Sequence, residues 1–133
     1  MSEFAFAPYR VLLVEDNDFV RFTVRKHLNG LGFKEVLEAP NGFEGMKMLE
    51  TQSPDIVVCD IKMEPVNGFD FLDHVRGKGS PYRKMPVIFL TASADPSDVK
   101  KAMDAGIDGY LLKPVAVEDL KAKLSSLLQK LQK

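Results

Sequence analysis

Short apolar runs alternate with amphipathic segments along the sequence, and this alternation restricts the folds that the chain can adopt. Five runs rich in Val, Ile, Leu and Phe have the length of β-strands; they cover residues 10–14, 35–39, 56–59, 87–90 and 110–112. Three of them are almost wholly apolar, which is typical of strands that are covered on both faces. The runs therefore predict a buried sheet.

The segments between the runs have helical periodicity and recognisable ends. The first predicted helix begins near residues 17–18 and ends at Gly30, because glycine suits the left-handed position after a helix. The fourth begins at Asp95-Pro96, where Asp caps the helix and Pro occupies its first position, and ends at Gly106. The remaining helices are predicted at about 42–50, 68–77 and 117–131.

Strict alternation of strands and helices implies parallel strands joined by right-handed crossovers. A closed barrel of this kind needs eight strand–helix units and roughly 250 residues, whereas this chain has five units in 133 residues. We therefore expect an α/β fold, with a three-layer, doubly wound, five-stranded parallel sheet and helices on both faces.

The composition is that of an ordinary globular domain. Eighteen basic residues balance 19 acidic ones, and the net charge of -1 indicates no general affinity for nucleic acid or anionic membranes. No apolar run approaches the roughly 20 residues that span a bilayer. The single cysteine, Cys59, gives no basis for an internal disulfide. We expect a cytoplasmic domain over residues 9–131, an N-terminal tail over residues 1–8 and no output domain.

Reactive side chains follow four of the five predicted strands. Glu15-Asp16, Asp60, Thr91 and Lys113 each stand where a strand ends. In open parallel sheets, ligands bind beyond the carboxyl ends of the strands, so these groups should lie on one rim. Each of them alone is an ordinary turn or cap residue, and only their joint occurrence indicates a site.

The predicted rim has the chemistry of a phosphoryl-transfer site. Three carboxylates repel one another unless a cation lies between them, and oxygen ligands from short side chains suit Mg2+. Lys113 and Thr91 would then neutralise and hydrogen-bond a phosphoryl group. A carboxylate in such a site can attack phosphorus and form an aspartyl phosphate.

In these residues the chain resembles the receiver domain of two-component response regulators, over about 9–131. The matching motifs are VLLVEDN at 11–17, DIKMEPVNG at 60–68, LTA at 90–92 and GYLLKP at 109–114. The resemblance implies a flavodoxin-like strand order, 2-1-3-4-5. It makes Asp60 the phosphoacceptor, and Glu15 and Asp16 the acidic pair that holds Mg2+ (or Mn2+), with Asp16 as a direct ligand and Glu15 acting through water. Asp60 and the backbone carbonyl of Lys62 would complete the metal ligands.

The resemblance also assigns the groups around the phosphate. Thr91 and Lys113 would contact the phosphoryl oxygens, and Tyr110 would be the aromatic switch that turns inward when Thr91 moves. The Lys113–Pro114 bond is expected to be cis. Two departures lie close to the phosphoacceptor. Proline comes one residue late in Met63-Glu64-Pro65, which affects the shape of the loop. Lys62 and Ser93 fill the positions that tune hydrolysis, and because the long cation of Lys62 beside Asp60 would obstruct attacking water, we predict a comparatively long-lived phosphoryl group.

The implied function is that of a single-domain, bacterial response regulator, a signalling phosphoprotein rather than a turnover enzyme. A histidine kinase or histidine phosphotransfer protein would supply the phosphate, and a downstream protein would be the target. We expect no direct contact with nucleic acid or membrane, and a monomer or a phosphorylation-dependent dimer. An intermediate carrier in a multistep phosphorelay is the alternative.

A docking surface is predicted on the first helix. Phe19 and Phe22 point away from its apolar stripe at about 100° per residue, so they could meet the phosphodonor. The competing interpretation is that they pack against Phe4 and Phe6 near the N-terminus.

Three other functions fit the same residues less well. A haloacid-dehalogenase-type phosphatase expects an acid two residues after the nucleophile, where this chain has Lys62. A flavodoxin-like FMN carrier expects a hydroxyl-rich loop after the first strand. A degenerate receiver that signals without phosphate would lack part of the acidic pocket.

Overall fold

The alternating pattern produces the predicted α/β fold. The computed structural model describes residues 4–131 as five parallel strands in the order β2-β1-β3-β4-β5. The strands are β1 Arg10–Val14, β2 Glu35–Ala39, β3 Ile56–Cys59, β4 Val87–Thr91 and β5 Gly109–Leu112. The helices are α1 Asp18–Leu31, α2 Gly42–Gln52, α3 Gly68–Arg76, α4 Pro96–Asp104 and α5 Val117–Leu131.

Strand β1 lies between β2 and β3, and its position sets the rim. In the register, Val14 of β1 is opposite Ala39 of β2 on one side and Cys59 of β3 on the other. The residues that follow Val14 and Cys59 are therefore neighbours beyond the edge of the sheet. Such a reversal of strand order is the place where doubly wound sheets bind ligands.

Two apolar cores flank the sheet, because successive strand residues point to opposite faces. Leu12 and Val14 of β1 belong to one core, which α2, α3 and α4 cover; Val11 and Leu13 belong to the other, which α1 and α5 cover. The central strands are buried on both faces, which confirms the prediction from their apolar runs. The strands therefore lie packed between two apolar cores.

Helix α1 ends later than predicted. Gly30 lies inside the helix, and Gly32 takes the left-handed conformation, with φ of 95° and its N–H donated to the Asn29 carbonyl. The physical reason is Leu31, which packs against the apolar core and extends the helix past the first glycine. The other ends differ from prediction by two residues or fewer.

Asparagine and aspartate side chains begin four of the helices. Asn17, Asn41, Asn67 and Asp95 each accept a hydrogen bond from a backbone N–H in the first turn. Asn67 adds a reciprocal bond with Asp70 and so forms a capping box. Because Asn17 and Asn67 lie in the loops that follow β1 and β3, the caps also fix the loops of the predicted site.

The residues before Tyr9, predicted to be a tail, include a core side chain. Phe6 is buried, and its ring packs against Phe33 with centroids 4.9 Å apart. Phe4 packs against both Phe6 and Tyr9. The domain boundary before Tyr9 stays a prediction. Among residues 4–131, no helix has the length and apolar character needed to cross a membrane.

Candidate functional site

The sheet places the predicted residues side by side at its carboxyl edge. Beyond the strand ends, the Glu15 N–H donates to the Ala39 carbonyl and the Asp60 N–H donates to the Val14 carbonyl. On the other side, the Lys113 N–H donates to the Thr91 carbonyl at 2.8 Å. These bonds continue the hydrogen-bond pattern of the parallel sheet past its last paired residues, so the backbone at Glu15, Asp60 and Lys113 is held by the neighbouring strands.

Glu15, Asp16 and Asp60 form a compact group of carboxylates. One oxygen from each lies within 4.8 Å of the others. Glu15 and Asp60 are 1% and 7% exposed, whereas Asp16 is exposed. Two buried carboxylates and a third beside them are costly unless a positive charge compensates.

Lys113 supplies part of that charge. Its Nζ lies 2.7 Å from Glu15 Oε1 and 3.2 Å from Asp60 Oδ1, so one ammonium bridges both buried acids. Burial lowers the pKa of Lys113, but the hydrogen bonds and charges of Glu15 and Asp60 outweigh it and raise that pKa above its ordinary value. Burial raises the pKa of Glu15, and the hydrogen bond from Lys113 opposes this rise.

The carboxylate oxygens are engaged unequally. The two oxygens of Glu15 accept from Lys113 and from the Asn17 N–H. Within residues 4–131, Asp60 accepts through Oδ1, from the Ile61 N–H at 2.8 Å and from Lys113, and Oδ2 receives no hydrogen bond. Asp16 makes no side-chain hydrogen bond or ion pair with the same part of the chain. Asp16 and Asp60 therefore keep free lone pairs, whereas each oxygen of Glu15 already has a donor.

This donor set fits a hard divalent cation. All the free ligands are oxygens of short side chains, and three carboxylates against one ammonium leave a negative excess. They open into a cleft of about 580 Å3 beside the rim. The cleft is lined by Glu15, Asp16, Asn17, Val20, Asp60, Lys62, Thr91, Ala92, Ser93 and Lys113.

Thr91 and Tyr110 are connected through Ser93. Thr91 is buried, and its Oγ1 accepts from the Ser93 N–H at 3.2 Å. The Tyr110 hydroxyl donates to the Ser93 carbonyl at 2.9 Å, and the Ser93 hydroxyl donates to Asp98 in the first turn of α4. The sequence pointed to Ser93 only as a position that tunes hydrolysis. Its bonds to both members of the predicted switch depend on loop geometry that no spacing reveals.

The loop after Asp60 passes very close to it. The Gly68 N–H donates to the Ile61 carbonyl at 2.7 Å, and a Cβ at Gly68 would clash with the Asp60 carbonyl oxygen. Because of this clash, glycine is required at position 68 for the loop to close over the strand end.

Two X–Pro bonds near the site are cis. The Lys113–Pro114 bond is cis, as the resemblance predicted, and so is Glu64–Pro65.

The thiol of Cys59 lies directly behind this loop. It is fully buried at the end of β3 and donates to the Asp60 carbonyl at 3.1 Å. Burial raises the pKa of Cys59 well above its ordinary value, and the charges of Asp60 and Glu15 raise it further. The side chain is a core group and not a reactive one.

The predicted docking side chains are exposed on α1. Phe19 is 77% exposed and Phe22 is 48% exposed. The competing interpretation is wrong, because Phe4 and Phe6 pack with Tyr9 and Phe33 instead. Phe19 also borders an apolar groove of about 290 Å3 between α1 and the segment after β5. The groove is lined by Phe19, Val20, Thr23, Val24, His27, Leu90, Lys113, Pro114 and Val115.

Arg21 was not predicted to belong to the site. Its Nη1 donates to the Glu15 carbonyl at 2.8 Å, so it touches the turn that carries the acidic pair. An arginine one turn into a helix is common on protein surfaces, and no feature of the sequence separates it from Arg25.

Comparison with known proteins gives one consistent family. A family model described as the response regulator receiver domain matches residues 11–125. Chemotaxis protein CheY-3 of Vibrio cholerae is 33% identical over 122 residues, which cover 92% of this chain and 93% of that protein. Transcriptional regulatory protein PdtaR of Mycobacterium tuberculosis is 35% identical over 116 residues, 87% of this chain but only 55% of that protein.

Solved structures agree. A response regulator receiver domain protein from Clostridium thermocellum superposes with a TM-score of 0.84 at 28% identity, covering 93% of this chain and 97% of that one. The receiver domain of a sensor histidine kinase from Pseudomonas aeruginosa gives a TM-score of 0.82 at 27% identity, covering 91% and 98%. That structure has a magnesium ion coordinated in its active-site cleft.

Proposed function

Because the chain belongs to the response regulator receiver domain family, we propose that it accepts a phosphoryl group on Asp60 and signals through contact with other proteins. The observation that carries this proposal is the setting of Asp60. One of its oxygens is held by Lys113 and the Ile61 N–H, the other receives no hydrogen bond from residues 4–131, and the carboxylate of Asp16 lies close by. A carboxylate that is oriented but not fully paired is suited to act as a nucleophile.

Mg2+ or Mn2+ would be held by Asp16 and Asp60 directly, with the Lys62 backbone carbonyl as a further ligand. Glu15 would act through water, since its oxygens are already engaged by Lys113 and Asn17. A divalent cation supplies neutralisation of the charge on phosphate and carboxylates during transfer. The magnesium-bound receiver domain from Pseudomonas aeruginosa supports this assignment by analogy.

Phosphoryl transfer would use groups that are already in place. A P–O bond forms to Asp60 while the P–N bond of a phosphohistidine breaks, and the imidazole keeps the electron pair. Lys113 would pair with one phosphoryl oxygen, and the Thr91 hydroxyl would donate to another. The product is an aspartyl phosphate, and in this proposal the domain acts as a signalling protein rather than as a turnover enzyme.

The phosphate would be read out through Ser93. If Thr91 turns its hydroxyl to the phosphoryl group, the Ser93 N–H that now donates to it changes partner. The same residue holds Tyr110 and Asp98, so this local change would alter the surface near Tyr110 and the start of α4. Phosphorylation need only bias an equilibrium that already exists.

The proposed partners are a histidine kinase or histidine phosphotransfer protein as phosphodonor, and a downstream protein as target, in the cytoplasm. The alternative is an intermediate carrier in a phosphorelay. Return of the phosphoryl group from Asp60 to a second phosphotransfer protein would distinguish the carrier from an output regulator.

Intact-protein mass spectrometry tests the function. Incubation with Mg2+ and a small phosphodonor should add one phosphoryl group to the wild type and none to Asp60→Asn. Asp55→Asn is the control, because Asp55 lies at the opposite edge of the sheet, where it accepts from the Arg10 N–H. A phosphoryl adduct in Asp60→Asn, or none in the wild type, would overturn the proposal.

A further inference from the structure

Arg21 connects the turn that carries the acidic pair to the start of helix α1 and to strand β2. Its Nη1 donates to the Glu15 carbonyl at 2.8 Å and its Nη2 to Asp18 at 2.7 Å, while Nε lies 3.5 Å from Glu38 of β2. The side chain is only 20% exposed. A guanidinium is a planar fork with a fixed arrangement of donors, so three contacts of this kind fix its own position and that of the turn.

The Glu15 carbonyl belongs to the peptide that joins Glu15 to Asp16. Since a peptide unit is planar, holding its oxygen also fixes the direction in which the backbone enters Asp16. The Asp16 carboxylate has no side-chain hydrogen bond or ion pair within residues 4–131. Its place beside Asp60 therefore depends on the backbone, and Arg21 is the side chain that holds this peptide oxygen.

We infer that Arg21 is a positioning residue for the cation site, acting on the Glu15–Asp16 peptide rather than on the cation. The inference rests on the proposed function, because it takes the acidic group to bind Mg2+. It goes further by assigning the geometry of the direct ligand Asp16 to a residue outside the cleft.

The direction in which the Mg2+ affinity changes when Arg21 is removed distinguishes a positioning role from an effect of charge. The positive charge of Arg21 repels a cation, so its removal should tighten Mg2+ binding if charge alone matters. If Arg21 positions Asp16, its removal should weaken binding instead. A purely structural role would lower the stability of the fold and leave the Mg2+ affinity unchanged.

Isothermal titration of Mg2+ into the full chain makes the test. Arg21→Met is expected to weaken binding by roughly tenfold or more, as loss of residues that support metal ligands does. Arg21→Lys keeps the charge but loses the fork, and should fall between wild type and Arg21→Met. The matched control is Arg25→Met, because Arg25 pairs with the same Glu38 and does not reach the turn; its affinity should stay within about twofold of wild type.

The outcomes are distinguishable from failure of the proposed function. No Mg2+ binding by the wild type would overturn the proposed function itself. Binding by the wild type together with equal or tighter binding by Arg21→Met would overturn only the role of Arg21. If Arg21→Met does not fold, Arg21→Lys decides: weaker binding supports the inference and unchanged binding overturns it.

Discussion

The side chain of Lys62, close to Asp60, has no role in the proposed metal binding or phosphoryl transfer; only its backbone carbonyl does. It is exposed and lines the cleft, two positions after the proposed phosphoacceptor Asp60. We expect this long cationic side chain to obstruct the approach of an attacking water to a phosphorylated Asp60. It also adds a positive charge beside the phosphoryl group.

Replacing Lys62 by Asn should shorten the lifetime of the phosphoryl group. We expect hydrolysis of the aspartyl phosphate to accelerate by about two- to tenfold, which corresponds to at most ~1.4 kcal/mol in the barrier. Decay of the phosphorylated mass species measures it. Lys78→Asn, in the loop after α3, is the control. A slower decay in Lys62→Asn would contradict the obstruction by this side chain.

The sequence predicted which residues share the rim, because parallel strands deliver their carboxyl ends to one edge. Glu15, Asp60, Thr91 and Lys113 lie there in the structure. The sequence could not predict that Lys113 bridges Glu15 and Asp60, or that Arg21 holds the acidic turn, because these contacts depend on side-chain rotamers. The Ser93 connection depends on the β4–α4 loop, for which no periodic pattern exists.

At the scale of elements, Gly30, Gly32 and Gly68 show why the end of helix α1 and the close approach of the loop after Asp60 were not both predictable from glycine positions in the sequence. Gly30 lies in helix α1, where a methyl group in place of its hydrogen would have no atom within 4 Å apart from its chain neighbours and the backbone of its own helix. Gly32 has φ of 95°, and Gly68 touches the Asp60 backbone. The sequence alone does not reveal whether a glycine lies within a helix, has a positive φ or packs against another backbone segment.

Alanine substitutions at the three glycines should change the free energy of unfolding by different amounts and in different directions. Gly30→Ala should raise the free energy of unfolding by about 0.5–1 kcal/mol, since alanine favours a helix. Gly32→Ala should lower it by about 1–2 kcal/mol because of its left-handed backbone. Gly68→Ala should lower it by about 1–3 kcal/mol through the clash and also slow phosphorylation of Asp60. Urea unfolding measures all three, and a neutral Gly68→Ala would contradict the close approach.

The exposed face of α1 gives a second prediction at this scale. Phe22→Ala should reduce phosphotransfer from the partner kinase by about tenfold, which is the effect of losing an aromatic anchor worth roughly 1.4 kcal/mol. Phosphorylation by a small phosphodonor should not change. Phe43→Ala is the matched control, since Phe43 is 49% exposed on α2 and a lysine lies over its ring, as Lys26 lies over the ring of Phe22. Unchanged transfer from the kinase to Phe22→Ala would argue against docking on α1.

Across the whole molecule, the two edges of the sheet have different roles. The carboxyl edge carries the candidate site, whereas Arg76 connects the segments at the opposite edge. Its guanidinium donates to the carbonyls of Arg83, Met85 and Gly106 and to Asp108 at 2.6 Å. Asp108 in turn accepts from the Val87 N–H at the start of β4. This network joins the end of α3 to the segments before β4 and β5.

Arg76→Met should therefore affect stability and not the site. We expect a loss of about 1–3 kcal/mol in the free energy of unfolding, because the Met85 carbonyl and Asp108 lose a charged donor. The Mg2+ affinity should remain that of the wild type. Lys100→Met removes an exposed pair with Asp104 and should change stability by less than about 0.5 kcal/mol. An equal effect of both variants would contradict the role of Arg76.

The rate at which the buried thiol of Cys59 is chemically labelled can report the opening of the core around it. The sequence contains a single cysteine, so an alkylating reagent has one target, and that target is reached only when the core beneath α2, α3 and α4 opens. The rate of covalent labelling thus reports how often this core opens around the end of β3. Because Asp60 is the next residue, any ligand that secures the rim would be visible as slower labelling, without a chromophore or a tag.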